Sequence, residues 1–136
     1  MTEIVIDSSV LAKFLLKEEG WEKVIGILHR RPYTLDLAIK ETANAIWRRT
    51  RLLGDISEEK AVILLNDLLS IRDLILKIES QELYMRQALK IALQYKITIY
   101  DALFITQACR KKATLVTADR GQNLVASKLR VNAVLL

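Results

Sequence analysis

Four carboxylates stand where chemistry could be done: Asp7, Glu41, Asp101 and Asp119. Asp7 ends the apolar run Ile4-Val5-Ile6, and Asp119 follows the run Thr114-Leu115-Val116-Thr117 in the same manner. Short runs of this kind suit strands buried on both faces. In an open α/β sheet the carboxyl ends of such strands face the crevice where ligands bind. Asp101 opens a helical stretch that leads into the second of these strands, and Glu41 opens the polar stripe of a long helical pattern. If the four converge, they repel one another and raise one another's pKa. A divalent cation removes that penalty. With oxygen ligands only and no His or Cys nearby, Mg2+ or Mn2+ is favoured over zinc. Such an ion could acidify a water and polarise a phosphoryl oxygen, and two could stabilise attacking and leaving oxygens together. The hydroxyls of Ser8, Ser9 and Thr117 could orient the acids or a water.

Each of these residues also has a plainer reading. Asp7 suits the cap of the helix that follows it. Asp101 suits a helix N-terminus by dipole and capping, and Asp119 suits a turn before Gly121. Glu41 could be an ordinary solvated helix residue. Ser and Thr at such places often satisfy helix and turn backbone. His29 lies far from the acids in sequence, at the end of a helical pattern, and is given no catalytic role.

The elements that must position the acids follow from periodicity. After the strand at Ile4–Ile6, a helical pattern runs from Val10 to Leu16, and Lys17-Glu18-Glu19-Gly20 reads as its end and a turn. A second helix spans Trp21 to Arg30, and Arg31-Pro32 breaks it. Tyr33 to Leu35 reads as an edge strand. The long helix covers Leu37 to Leu52, with Ile39, Ala43, Ile46 and Trp47 apolar and Glu41, Asn44, Arg48 and Arg51 on the other face. Ser57 caps a helix that runs to Leu69. The alternation of Leu74, Leu76 and Ile78 predicts a strand near Arg72 to Ile78. Helices follow from Gln81 to Tyr95 and from Tyr100 to the basic end Arg110-Lys111-Lys112. The strand at Thr114–Thr117, a short helix near Gln122 to Ser127, and a last strand at Arg130 to Val134 complete the chain. Strands separated by helices indicate an α/β sandwich with a mostly parallel central sheet.

Composition sets the class. With 136 residues and no visible boundary or repeat, one domain over 1–136 is expected. One Pro and four Gly argue against disorder and against a turn-rich all-β fold. The single cysteine, Cys109, excludes an internal disulfide and fits a reducing compartment. Within its helical stretch, Cys109 is expected to be a small buried hydrophobe. The acidic N-terminus does not read as a signal peptide, and no apolar run reaches the roughly 18 residues that span a membrane. A soluble, cytoplasmic protein is expected. The net charge of +5 is compatible with a polyanionic partner, although basic residues also simply solvate a surface.

The spaced set Asp7-Ser8-Ser9, Glu41-Thr42-Ala43-Asn44, Tyr100-Asp101-Ala102-Leu103 and Thr117-Ala118-Asp119 resembles the PIN domain family, and most of all the toxin component of VapBC toxin–antitoxin pairs. The resemblance covers essentially the whole chain. It implies a three-layer α/β/α sandwich and a metal-dependent ribonuclease in which Asp7, Glu41, Asp101 and Asp119 are the catalytic acids and ligands of Mg2+ or Mn2+. By motif match, Asn44 is a polar position that often follows the helix glutamate, and Thr117 is the hydroxyl before the last acid. The reaction implied is hydrolysis of an RNA phosphodiester by an activated water, with no side-chain nucleophile. One departure is local: Arg120-Gly121-Gln122-Asn123-Leu124 lacks the aromatic that many members carry there.

Arg48, Arg51 and Arg120 are candidates to hold RNA phosphates on either side of the cut, against the plainer reading of a solvated face. Trp21, Trp47, Val62, Ile63, Leu65 and Leu69 exceed what one small sheet needs, which predicts a homodimer and a groove for an antitoxin segment. A well-filled monomer core is the alternative. Three other functions stand beside the toxin: an RNA-processing or quality-control nuclease, a non-catalytic binding module on the same fold, and a phosphatase. The last is disfavoured, because haloacid dehalogenase-like phosphatases use a second Asp two residues after the first, where this chain has Ser9.

Overall fold

Ile4-Val5-Ile6 forms the middle strand of the molecule. In the computed structural model, which describes residues 2–136, strand β1 (Ile4–Ile6) is buried throughout. Beside it lie β2 (Tyr33–Leu35), β3 (Lys77–Glu79), β4 (Thr114–Thr117) and β5 (Ala133–Leu135). Their order is β3-β2-β1-β4-β5, and every pairing is parallel. Parallel neighbours need long crossovers, which helices provide. These are α1 (Ser8–Leu15), α2 (Glu22–His29), α3 (Asp36–Arg51), α4 (Glu58–Leu74), α5 (Met85–Tyr95), α6 (Ile99–Lys111) and α7 (Arg120–Lys128). Helix α1 packs with α2, α3 and α4, while α6 packs with α5 and α7 and lies against β1, β2 and β4. This is the expected three-layer α/β/α sandwich, with a sheet that is wholly rather than mostly parallel among the described residues.

The strand order places a topological switch point at the centre. From β1 the chain builds outward through β2 and β3, then returns to lay β4 on the opposite side of β1. The register Ile4–Thr114, Val5–Leu115, Ile6–Val116 sets Asp7 level with Thr117 at the carboxyl edge. Crevices at such points are where open α/β sheets bind ligands. Beneath the edge, Leu11, Leu35, Leu68, Phe104, Ile105 and Leu115 are fully buried and hold the layers together.

Several boundaries differ from the sequence reading. Tyr33–Leu35 is an interior strand, paired on both sides by β1 and β3. Pro32 precedes it rather than interrupting it, so no ladder donor is lost, and the Pro32 carbonyl accepts from the Lys77 N–H at 3.0 Å. The strand expected near Arg72 to Ile78 shrinks to Lys77–Glu79, because α4 continues to Leu74. Leu64, Leu68 and Ile71 are the buried face of that helix, and Leu74, which suggested alternation, is 75% exposed at its end. The helix expected from Gln81 begins as a 3-10 turn over Gln81–Tyr84, and the last helix extends over Arg120–Lys128. Cys109 is exposed, not buried: the buried run of α6 stops at Ala108.

Candidate active site

Asp7 leaves β1 and caps α1, its Oδ1 accepting from the Val10 N–H at 3.3 Å. The same carboxylate is gripped from the next strand. Thr117 Oγ1 donates to Oδ2 at 2.5 Å, and Ser9 Oγ donates to Oδ1 at 2.5 Å. Each hydroxyl also accepts a backbone N–H beyond β4, Thr117 from Asp119 at 3.0 Å and Ser9 from Ala118 at 2.9 Å. The capping reading and the chemical reading therefore coexist in one side chain.

Asp119 caps α7, accepting from the Gln122 N–H at 3.0 Å. A Cβ at position 121 would stand 3.2 Å from Asp119 Oδ1, so Gly121 keeps this turn tight. Gln122 is buried, and its side-chain amide donates to the Asp101 carbonyl at 3.0 Å, tying α7 to α6. Asp101 lies in the first turn of α6, whose cap Thr98 accepts the Asp101 N–H at 3.3 Å. Glu41 projects from α3, and its Oε1 is buried without a hydrogen-bond partner.

Three of the acids are shifted upward, chiefly by burial. Burial pushes the Asp7 carboxyl up to about 6, against the Ser9, Thr117 and Val10 hydrogen bonds and with the Asp101 charge adding to it. Burial also raises Glu41, countered by the Ser8 hydroxyl and reinforced by Asp101 and Asp7. Asp101 is raised by burial and then by Asp119. The cluster is loose: among the described residues, no three His, Cys, Asp or Glu side chains are drawn closely enough together to enclose one ion. The donor set is all oxygen, and the partnerless Glu41 Oε1 is a lone pair with no protein donor to receive it. Both fit a hard divalent ion.

Two clefts open from the acids, on either side of the start of α1. One, of about 930 Å3, includes Ser9, Lys13, Lys23 and Asp119. The other, of about 570 Å3, includes Ser8, Lys40, Glu41, Asn44, Arg48 and Tyr100. Of the candidate arginines, Arg48 shares this second cleft with Glu41, and Arg120 adjoins Asp119 in the exposed first turn of α7. Arg51 is elsewhere, ion-paired with Glu58 on the groove between α3 and α4. Helical geometry explains the split: at about 100° per residue, a residue seven positions on returns within about 20°, and one ten positions on lies about 80° away. Sequence reasoning missed Gln122 and the lysines Lys13, Lys23 and Lys40. Gln122 carried a legible signal, since Asp followed three residues later by Gln is the pattern of a helix start. The lysines carried none, because only the fold shows which solvated cations border the acids.

Comparison with known proteins sets this geometry in context. The PIN domain matches residues 4–128. The chain is similar to Ribonuclease VapC3 of Pyrobaculum aerophilum, 31% identical over 120 residues, which are 87% of this chain and 90% of that protein. It is similar to the crystal structure of PAE2754 from Pyrobaculum aerophilum, with a TM-score of 0.71 at 27% identity, covering 91% of this chain and 86% of that one. The crystal structure of FitAcB from Neisseria gonorrhoeae shares the fold, with a TM-score of 0.61 at 17% identity over 96% of this chain and 95% of that one.

Proposed function

This chain belongs to the PIN domain family, and from that footing we propose that it is a metal-dependent endoribonuclease, the toxin of a VapBC-type toxin–antitoxin pair. The observation that carries the reading is geometric: Asp7 and Asp119 follow the adjacent strands β1 and β4 at the carboxyl edge, Gln122 ties the Asp101 end of α6 to that edge, and Glu41 shares a cleft with Ser8, next to Asp7. Asp7 is buried among like charges and Glu41 Oε1 is buried and partnerless, an arrangement costly to keep without a cation.

These four acids would hold Mg2+ or Mn2+. When bound, such an ion acidifies water and offsets charge on phosphoryl oxygens. The side chains do the rest. Ser9 and Thr117 fix the Asp7 carboxylate so that it does not reorganise during the reaction. Gln122 fixes the Asp101 end of α6 against α7. Asn44 stands beside Glu41 in the shared cleft. Lys40 and Arg48 on one side, and Lys13 on the other with Arg120 next to Asp119 in the first turn of α7, hold the RNA backbone across the acids. No side chain attacks phosphorus; the acids orient a water that does. Two partners accompany the reading: a VapB-like antitoxin, and a second copy of this chain over the exposed apolar residues Trp47, Val62 and Ile63 of α3 and α4.

Cleavage of a mixed RNA pool, followed with Mn2+, with Mg2+ and with chelator, tests the function. Wild type cuts only with metal, while Asp7→Asn and Asp101→Asn each lose at least about a hundredfold in rate. Cleavage that survives chelator, or variants as active as wild type, would refute the assignment.

A further inference from the structure

We propose that Tyr100 is a stacking platform for one unpaired base next to the cut phosphate, an inference that rests on the ribonuclease reading above. Tyr100 precedes Asp101 in the first turn of α6 and is 54% exposed. It borders the cleft that also holds Glu41, Lys40 and Arg48. Most other aromatic rings are already engaged. Lys17 lies over Phe14 and Trp21, Lys77 and Lys111 lie over Tyr33, and Arg110 lies over Tyr84. Tyr95 packs against the core. The other widely exposed ring, Trp47, faces the groove between α3 and α4. Among the described residues, Tyr100 is thus the one aromatic open to solvent that adjoins the acids.

Its neighbours suit a nucleotide. Arg49, Arg51 and Arg72 are held in ion pairs, whereas Lys40 and Arg48 form none among the described residues. Two uncommitted cations beside a free ring supply both halves of single-strand recognition, the charge for the backbone and the π-face for a base. The cleft on the other side of α1 has Lys13 and Lys23 but Glu18 and Glu19 as well, and no aromatic lines it. Base contact is therefore one-sided: the strand is gripped through a base beside Tyr100 and through phosphates alone beyond Asp119. Because a base inside a duplex has no free face to offer, the target phosphate lies in a single-stranded segment.

The test uses the full chain and a single-stranded RNA oligonucleotide spanning a cut mapped from the pool. Companion oligonucleotides lack the base on one or the other side of that cut. Tyr100→Ala raises KM about tenfold with kcat nearly unchanged, and Tyr100→Phe restores KM. For wild type, removing the base on one side costs about the same tenfold, and for Tyr100→Ala it costs nothing further. A Tyr100→Ala variant with wild-type KM, or one that still suffers the full penalty for the missing base, would overturn the platform and leave the nuclease standing. Wild type that cuts no RNA with either metal would overturn both, and that outcome is seen before any Tyr100 variant is made.

Discussion

Asp7 concentrates the tension of the site in one side chain. It is buried, accepts three hydrogen bonds, and still has its pKa pushed up to about 6, because burial disfavours the charged form more than the donors favour it. The ordinary value for an Asp carboxyl is 3.8. Between these two values the native state binds the proton more tightly, so in metal-free protein the stability contributed by Asp7 falls as pH rises from about 4 to about 6. About two pKa units correspond to roughly 3 kcal/mol. In chelator at pH 7.5, Asp7→Asn is therefore more stable than wild type by about 1–3 kcal/mol, several degrees in Tm, and the gap closes toward pH 4. Thermal melts across that range check it; a variant less stable than wild type at neutral pH would contradict it. A buried acid kept at a cost in stability is the kind of residue that functional sites retain.

At the scale of elements, legibility followed the strength of local signals. The strands bearing Asp7 and Asp119 were plain, because Ile4-Val5-Ile6 and Thr114-Leu115-Val116-Thr117 are apolar runs closed by a polar stop. The cap at Ser57 was equally plain and holds the Lys60 N–H. The region from Arg72 to Ile78 misleads because Leu74, Leu76 and Ile78 alternate by accident of a helix end followed by a short strand. The interior place of β2 could not be read at all: three residues after a proline look like an edge, and only pairing with β1 and β3 distinguishes them. Among the candidate site residues, Asp7, Asp101 and Asp119 stand out in the sequence because strand ends and helix starts are local facts, whereas Glu41, inside α3, stands out only through its polar stripe and the motif resemblance. Which arginine faces them depended on about 80° of helical phase, and the flanking lysines depended on tertiary structure alone.

The whole molecule brings the candidate site to the switch point of its sheet and leaves an apolar face along α3 and α4 uncovered. Trp47, Val62 and Ile63 are each more than half exposed along α3 and α4. With a second copy over this face, light scattering at micromolar concentration gives twice the 15.6 kDa chain mass, and Trp47→Glu returns it to one; a wild-type monomer would sink the assembly. No helix among the described residues is long and apolar enough to cross a membrane. The net charge of +5 suits an anionic polymer on the side where Lys40 and Arg48 stand free. Whether the crevice between β1 and β4 takes a divalent ion decides the chemistry of the site. Calorimetric titration of Mn2+ into chelator-stripped protein addresses that directly. Saturable binding at pH 7.5 is predicted, weaker at pH 5, where Asp7 carries its proton, and lost in Asp7→Asn and Asp101→Asn. A flat titration of wild type, or equal binding by the variants, would contradict the metal site and the chemistry built on it.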